Sequence, residues 1–443
     1  MSFRLTTCLL ALTLLSAATQ ADDWPQFRGV RGDGVAHAAG TPVRVSESNT
    51  VWKTAIPGSG WSSPVYSGDN IWITAADVQP ASAEFLAKKK QGVEFADMKT
   101  GAGSVKLRAV CVHLKTGKIL HNVLLKNVSE PELIHPLNSY ASPTPVISGD
   151  RVVCHFGSYG TWCVNAESGE KIWEQNTLIV DHSVGPGSSP VIVDDIVILA
   201  FDGIDRQFVT GLSLKDGTPS WKTPRPKMRA TNGEYQKAYS TPLIIEIDGQ
   251  LQAVLPGAQW MCAYEPATGR EIWRADCGNG FSTTPMAIYD AGLVICSTGF
   301  MRPALVAVNP SGTGDVTKTH IVWTARQGGS TMPTAVAHNG LIYSLGDRGI
   351  MTVLESKTGK KRSRFRVNGN YSASPLLVDE KLYIGSKEGL LTVYSLNDIN
   401  GNGGDVKPLA KNKLDGDIMA SPATIGSDML IRTSKSLMRV KPE

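Results

Sequence analysis

Short apolar runs separated by polar turns recur along the chain at a nearly constant interval. Each copy begins with a Ser/Thr-Pro-apolar start, and successive start prolines lie 42 to 52 residues apart after a first step of 81. Within a copy, alternating apolar and polar positions predict four short strands joined by turns. This repeat length is typical of one four-stranded propeller blade. The pattern therefore predicts an all-β, eight-bladed β-propeller, with starts at Pro64, Pro145, Pro190, Pro242, Pro285, Pro333, Pro375 and Pro422.

The turn between the third and fourth predicted strands ends in glycine in most copies, as at Gly117 and Gly217. Glycine suits the positive φ angle that such hairpin turns require. A large aromatic residue follows in the fourth strand, where we expect it to pack between neighbouring blades. His121 stands at the same place in the first blade, which predicts a structural role for its imidazole. The aromatic residues at this position are Trp173, Trp221, Trp273 and Trp323.

The two ends of the chain together supply one complete blade. The last copy stops one strand short, whereas an unassigned strand with a tryptophan occurs near the N-terminus at residues 49–53. Pairing this strand with the last three would close the ring without an exposed edge. We therefore predict a propeller of the closed type over residues 45–441, preceded by an arm at residues 22–44. The long first step predicts an insertion at about residues 75–108 with a helix-like centre at 83–89.

The extreme N-terminus has the pattern of an export signal. Arg4 precedes an apolar run at residues 5–15, which is shorter than the roughly 20 residues of a membrane helix. Small residues at the end of this region predict a signal peptide at residues 1–21 and a periplasmic or secreted protein. The formal net charge of +4 and the absence of a long basic run give no indication of a nucleic-acid partner or a membrane-binding surface. The sequence after this region contains no apolar run of the length that a membrane helix requires.

The repeat resembles the quinoprotein (pyrroloquinoline quinone, PQQ) propellers, and more closely the secreted PQQ-binding-like β-propeller repeat proteins. The resemblance rests on the Thr-Gly-x-x-x-Trp turn, the Ser-Pro starts and three segments, and it spans the whole chain after the signal region. It implies the fold more specifically than it implies a function, because one fold hosts unrelated activities. The three segments are Trp24-Pro25-Gln26-Phe27-Arg28-Gly29, Asn138-Ser139-Tyr140-Ala141-Ser142-Pro143 and Tyr371-Ser372-Ala373-Ser374-Pro375.

The same resemblance implies PQQ held with a calcium ion, a disulfide between adjacent cysteines, a stacking tryptophan and an aspartate base. The sequence departs from that arrangement, because none of its seven cysteines is adjacent to another and the calcium ligands have no residue-by-residue match. The cofactor therefore stays unassigned, with PQQ and calcium as the hypothesis to test.

Loop residues of one propeller face supply the candidate site. The loops that enter the first strand of a blade and those that join its second and third strands lie on the same face, around the central channel. Blades 2 and 3 carry the densest set of imidazoles and carboxylates, which suits acid–base or metal chemistry if the side chains converge. The catalytic candidates are His155, His182, Asp202 and Asp205, and the cofactor-binding candidates are Trp61, Tyr140, Arg206, Gln207, Tyr371 and Arg432. The same loops also carry Arg302, Asp347 and Arg348.

Two further motifs have alternative interpretations. Asp398, Asn400 and Asn402 have the spacing of the first half of an EF-hand loop, but the final glutamate of that loop is missing, which favours a plain turn. Cys154 and Cys163 flank a predicted hairpin tip, where they either form a disulfide or pack as small apolar side chains.

Three functions fit this sequence. The first is a binding or scaffold module that holds a small polar ligand, a glycan or a peptide on its loop face. The second is a PQQ-dependent oxidoreductase of alcohols or sugars. The third is a carbohydrate-active enzyme that uses the His/Asp cluster of blades 2 and 3. The binding role leads because it requires no feature that the sequence lacks.

Overall fold

The computed structural model describes residues 23–401 and 406–443; the predicted signal peptide at residues 1–21 lies outside this part of the chain. Eight antiparallel sheets form the predicted eight-bladed propeller, and the fold class is confirmed. Each sheet keeps the strand order of the sequence repeat. The strands of the first four blades are Val65–Ser67, Asn70–Pro80, Ala102–His113 and Ile119–Val128; Val146–Ser148, Arg151–His155, Thr161–Asn165 and Lys171–Gln175; Val191–Val193, Ile196–Asp202, Gln207–Ser213 and Pro219–Pro224; Leu243–Ile247, Gln250–Pro256, Trp260–Tyr264 and Glu271–Asp276.

The second half of the ring repeats this arrangement, and its last blade takes its outer strand from the N-terminal region. Short additional strands, Val35–Ala36 and Gly314–Asp315, join blades 7 and 4 in parallel orientation. The strands of blades 5 to 8 are Ile288–Asp290, Leu293–Ser297, Leu305–Val308 and Ile321–Ala325; Val336–His338, Leu341–Leu345, Ile350–Glu355 and Lys361–Arg366; Leu376–Val378, Lys381–Gly385, Leu390–Ser395 and Ala410–Lys413; Ala423–Ile425, Asp428–Arg432, Ser436–Val440 and Thr50–Ala55.

The ring closes by the predicted strand exchange. Thr50–Ala55 pairs antiparallel with Ser436–Val440, and Trp52 lies opposite Arg439 in that register. Because the first strand completes the last blade, the two chain ends are held in one sheet. The closure predicted from the sequence is therefore confirmed.

The Ser/Thr of the repeat starts links neighbouring blades through hydrogen bonds. The backbone N–H of Ser63 donates to Thr144 Oγ1 at 2.9 Å, and the N–H of Thr144 donates to Ser189 Oγ at 2.9 Å. The same contact joins Thr334 to Ser374 at 3.0 Å. These hydroxyls are buried, so each one satisfies a backbone donor that the blade boundary would otherwise leave unpaired.

The outer-strand aromatic residues pack onto the glycine turn of the following blade, as the repeat predicts. Trp173 donates its indole N–H to Leu214 O at 2.9 Å, and a Cβ added to Gly217 would lie 2.4 Å from its ring. His121 uses the same geometry, with Nε2 2.6 Å from Glu167 O, which bears out its structural role. The equivalent indole bonds are Trp52 to Leu114 O, Trp221 to Pro266 O and Trp323 to Ser356 O.

Trp273 differs from the other tryptophans. Its indole donates to Gln252 Oε1 within the same blade at 2.8 Å, and its ring is fully buried. Blade 5 has a longer turn between its last two strands, and Gly314–Asp315 of that turn pairs with the strand that carries Trp273. The extra strand takes the place that the glycine turn has elsewhere.

The described part of the arm, residues 23–44, lies along the inner strands of the ring. Trp24 exchanges backbone hydrogen bonds with Tyr66 in blade 1, and Val35 pairs with Leu377 in blade 7. Between them, the Arg28 guanidinium is buried and donates to Asp33 O at 2.6 Å and Ala335 O at 2.8 Å. Burial lowers the pKa of Arg28 to about 10. The Arg28 guanidinium is thus held by backbone carbonyls of the arm and of blade 6.

Helical structure is confined to loops. The α-helices are Ala83–Lys90, in the excursion of blade 1, and Leu396–Gly401; the 3₁₀ turns are Ala96–Met98, Gly157–Tyr159 and Gly233–Tyr235. Ser82 caps the first helix by accepting from Phe85 N at 3.1 Å. The strands that flank the excursion extend to Pro80 and from Ala102, so the part outside the sheet is residues 81–101. Within the described residues, none of the helices has the length and apolarity needed to cross a membrane.

The six cysteines of the described chain are buried or half-buried thiols. Cys154 lies opposite Trp162 and Cys163 opposite Val153 in the strand register, so the two are not a facing pair. The thiols of both are free, and both side chains are fully buried. The structure therefore supports packing as small apolar groups rather than a disulfide.

Candidate binding face

The excursion of blade 1 covers one side of the loop face. Thr100 and Ile134 exchange backbone hydrogen bonds of 2.8 and 2.7 Å, which attach the excursion to the loop after blade 1. The Glu94 carboxylate accepts from Asn232 Nδ2 at 3.1 Å, in the loop between blades 3 and 4. Residues 81–101 therefore reach across the loops of blades 1 to 3, where the sequence-based candidates are densest.

A buried ionic network fixes the excursion in this position. Lys99 Nζ donates to Ser183 Oγ at 2.9 Å and lies 3.1 Å from Glu234 Oε1, and Lys237 forms a second ion pair with Glu234. Ser183 donates to Glu234 Oε1 at 2.7 Å, with a backbone φ of 64°. Burial acts to raise the pKa of Glu234, but hydrogen bonds from Lys237, Ser183 and Lys99 hold it below its usual value. Sequence reasoning missed this network, because three separate loops supply it.

The two histidine candidates lie near each other but are packed into the interior. His155 Nδ1 is 2.8 Å from Thr161 Oγ1, and its ring meets Phe201 edge to face. Burial, reinforced by the neighbouring His182, lowers the pKa of His155 to about 3. Burial likewise lowers the pKa of His182 to about 4, and neither ring nitrogen of His182 has a hydrogen-bond partner among the described residues. Both imidazoles are therefore neutral at physiological pH.

The two aspartate candidates separate into different environments. Asp202 forms a buried bidentate pair with Arg225, at 2.7 Å to Nη2 and 3.0 Å to Nε. Asp205 lies at the rim, where it accepts from Arg206 Nε at 2.9 Å and from Asp181 N at 2.8 Å. Gln207 donates its side-chain amide to Gly203 O at 2.7 Å. Asp202 thus stabilises the blade 3 loop through Arg225.

The aromatic and arginine candidates are also held by the protein itself. Tyr140 donates to Glu132 O at 2.9 Å and Tyr371 to Asn368 O at 2.7 Å, and both rings are buried. Arg432 donates to Ser62 O at 2.8 Å, and burial lowers its pKa to about 9. Trp61 is half-buried beside this arginine, with its backbone N–H on Ala141 O at 3.1 Å. Trp61 and Arg432 therefore share the boundary of blades 8 and 1. Tyr140 lies in the loop before blade 2, against Tyr159, and Tyr371 lies in the loop before blade 7.

The segment with the spacing of half an EF-hand loop begins as a helix instead of a turn. Asp398 and Asn400 lie in Leu396–Gly401, and Asn402 lies outside the described residues. The Asn400 side chain bonds with the Tyr343 hydroxyl at 3.0 to 3.1 Å. The plain turn favoured from the sequence is corrected to a helical segment, because Leu396 and Ile399 bury their side chains at helical spacing.

The accessible half of the face contains a cleft between blades 5 and 6. Its volume is about 840 Å³, within the range of small-molecule sites. Met301 and Arg302 lie at its edge with φ angles of 67° and 68°, a conformation that costs energy in residues other than glycine. The lining includes four arginines, of which Arg302 and Arg348 belong to the predicted loop set. Arg326 and Arg364 were missed, although the basic run at residues 360–366 marks the strand that carries Arg364.

Comparisons with known proteins agree with the propeller fold. A family model described as outer membrane protein assembly factor BamB matches residues 65–254. The outer membrane protein assembly factor BamB of Bordetella pertussis (strain Tohama I) is 23% identical over 374 residues, covering 83% of this chain and 90% of that protein. The crystal structure of BamB from Moraxella catarrhalis has a TM-score of 0.53 at 18% identity, covering 82% of this chain and 96% of the other.

Two enzymes superpose over more of the ring. A europium-containing methanol dehydrogenase has a TM-score of 0.63 at 10% identity, with 94% of this chain and 90% of the other covered. The quinohemoprotein alcohol dehydrogenase of Comamonas testosteroni has the same TM-score and identity, with 97% and 82% covered. The chain has the eight-bladed β-propeller fold of the quinoprotein dehydrogenases. The resemblance stated from the sequence is confirmed, and at these identities the solved structures establish the fold alone.

The residues of this quinoprotein-like propeller do not match the PQQ and calcium arrangement that the resemblance implies. Within residues 23–401 and 406–443, His, Cys, Asp and Glu side chains nowhere gather in threes at metal-holding distance. Asp202 is already neutralised by Arg225, and the described cysteines are free thiols. The described donor set therefore does not fit a calcium-bound quinone.

Proposed function

We propose that this quinoprotein-like propeller is an exported binding or scaffold module that holds a polar ligand, a glycan or a peptide, on its loop face. The observation that carries the proposal is the asymmetry of that face. The excursion at residues 81–101 and its buried ion pairs close the side over blades 1 to 3, whereas the 840 Å³ cleft is accessible over blades 5 and 6.

Three of the four candidate acid–base groups support binding rather than turnover, and the fourth, Asp205, is paired with Arg206 at the rim. His155 and His182 are 2% and 4% exposed, and Asp202 is paired, so a ligand on the loop face has no direct access to them. The relationship to proteins named outer membrane protein assembly factors supports an exported protein and a protein partner, which is the peptide branch of the proposal.

A pair of matched substitutions tests this function. Gln327 lines the cleft and Gln250 lies on the opposite face, and both side chains are exposed. The full chain and its Gln327→Trp and Gln250→Trp variants are assayed against immobilised panels of glycans and extended peptides. We expect saturable binding that falls by about tenfold or more in Gln327→Trp, because an indole in the cleft displaces bound groups, and that is unchanged in Gln250→Trp.

Either of two results would contradict the proposal. Equal binding by both variants would place the ligand away from the loop face. Chemical conversion of a bound panel member by the wild-type chain, measured by mass spectrometry, would replace a binding role with catalysis.

A further inference from the structure

Four arginines in the cleft lack intramolecular partners. The side chains of Arg302, Arg326, Arg348 and Arg364 are exposed and line the cleft between blades 5 and 6. Elsewhere in the described chain, exposed arginines such as Arg229, Arg270 and Arg362 pair with carboxylates. None of the four guanidinium groups forms a hydrogen bond or ion pair with another residue described at 23–401 or 406–443. Four like charges are thus gathered at a concave surface, and none of them is in an ion pair.

The one carboxylate of the lining is already engaged. Asp347 accepts from the backbone N–H groups of Thr331 at 3.1 Å and Met332 at 2.9 Å, which fixes the loop before blade 6. Its charge offsets only one of the four guanidinium groups. A concave site that gathers charge of one sign attracts and concentrates ligands of the opposite sign.

The other lining groups distinguish between kinds of anion. Thr324 and Gln327 present exposed hydroxyl and amide groups, and the Asn279 amide nitrogen is free while its oxygen accepts from Arg229. None of the described lining residues is aromatic, so of the three residue types enriched in protein–protein hot spots, tryptophan, tyrosine and arginine, the cleft contains arginine alone. Hydroxyl and amide groups beside guanidinium groups complement a ligand that carries both hydroxyls and acidic groups.

We propose that the cleft between blades 5 and 6 binds an acidic glycan, with its carboxylate or sulfate groups held by Arg302, Arg326, Arg348 and Arg364. Guanidinium groups bind both kinds of anion through paired N–H donors, which gives geometric selectivity beyond charge. This inference rests on the proposed binding function and specifies its ligand class and its residues.

Titration of the full chain with four defined probes tests the inference. The probes are tetragalacturonic acid for carboxylates, a heparin tetrasaccharide for sulfates, maltotetraose as a neutral glycan and tetraglutamate as an acidic peptide. We expect at least one acidic tetrasaccharide to bind at least tenfold more tightly than maltotetraose and tetraglutamate. We also expect its affinity to fall as salt increases, because exposed charges are screened.

Variants that lose equal charge distinguish binding by the cleft arginines from a general effect of the protein's net charge. R348Q/R364Q removes two cleft arginines, and R270Q/R362Q removes two arginines of the opposite face, each 61% exposed in its side chain. We expect the first variant to weaken acidic-glycan binding by about tenfold or more, the usual effect of losing charge-assisted hydrogen bonds, and the second to leave it unchanged. R348K/R364K retains the charge and should lose part of the affinity, because lysine lacks the paired donors.

The outcomes distinguish this inference from the proposed function. Equal affinity for maltotetraose, tighter binding of tetraglutamate, or equal losses in the two glutamine variants would overturn the acidic-glycan site. In that case, if a panel glycan or peptide still binds and Gln327→Trp abolishes its binding, the proposed binding function stands without the acidic-glycan site. Failure of both the four probes and the panels would overturn both proposals.

Discussion

At the scale of single residues, the candidate side chains of blades 2 and 3 differ in what they contribute. The Asp202–Arg225 pair is buried at 2% exposure on both sides, whereas Arg206 of the Asp205 pair is 61% exposed. An ion pair in water contributes little to folding, but a buried charge that loses its partner is strongly unfavourable. The environment therefore decides the role of each group, although both pairs have the same chemistry.

The same substitution at the two arginines tests this difference. Arg225→Met leaves the Asp202 carboxylate buried without a counter-charge, and we expect the free energy of unfolding to fall by about 3–5 kcal/mol. Arg206→Met leaves an exposed carboxylate in water, and we expect a loss of less than about 1 kcal/mol. Urea unfolding followed by tryptophan fluorescence measures both, and similar losses would contradict the assignment of Asp202 to the core.

The buried histidines predict a dependence of stability on pH. The ordinary histidine pKa of 6.5 applies to the unfolded chain, whereas the folded pKa values are about 3 for His155 and about 4 for His182. Between pH 6.5 and 4, unfolding takes up protons, so the free energy of unfolding falls as the pH falls. Each imidazole contributes a loss on the order of 3 kcal/mol across that window. His182→Asn should lose less stability than the wild type between pH 7 and 4.5, and parallel losses in urea unfolding would refute this.

The position of these side chains in the repeat predicted that they lie in the loops of one face. The sequence did not establish their hydrogen-bond and ion-pair partners. Arg225 lies 23 residues beyond Asp202. The three loops that supply the ionic network around Glu234 are distant from one another in sequence. Such contacts depend on how loops cross the face, and loops do not follow the repeat. The unpaired state of the cleft arginines is likewise a property of the folded surface.

At the scale of elements, the repeat determines both the strands and the contacts between blades. The glycine turn has a double requirement, since Gly217 has a φ of 75° and its hydrogen faces the Trp173 ring. Both demands recur at Gly117, Gly169, Gly269 and Gly359, which explains why the sequence predicts the packing of the outer-strand aromatic rings. Trp273 departs from the pattern because the longer turn of blade 5 is not part of the repeat.

Two glycines distinguish the energetic cost of a positive φ angle from that of a steric clash at the Cβ position. Gly249 has a similar φ of 78°, but an added Cβ would meet nothing within 4 Å, whereas at Gly217 it would lie 2.4 Å from the Trp173 ring. Gly249→Ala should cost about 1 kcal/mol for the left-handed conformation, and Gly217→Ala about 1–3 kcal/mol more for the clash. Urea unfolding of both variants tests this, and equal losses would exclude the close contact as a source of stability.

At the scale of the whole molecule, the ring is a uniform scaffold with non-uniform additions. The strand exchange at Thr50–Ala55 closes the ring, the arm follows its inner strands, and the excursion at 81–101 covers part of the loop face. The closure was predictable because a missing strand and a spare strand are both visible in the sequence. The covering of the loop face by the excursion was not predictable, because it depends on contacts between an insertion outside the repeat and distant loops. Under the proposed binding function, this asymmetry directs ligands to the half over blades 5 and 6.

Hydrogen–deuterium exchange tests the central claim most directly. The full chain is compared with and without the panel glycan or peptide that binds most tightly. We predict slower exchange in residues 277–280, 298–304, 326–329 and 346–349, and unchanged exchange in the turns of the opposite face at residues 215–218 and 357–360. Slower exchange confined to the opposite face, or to the excursion at 81–101, would contradict a binding site on the accessible half of the loop face.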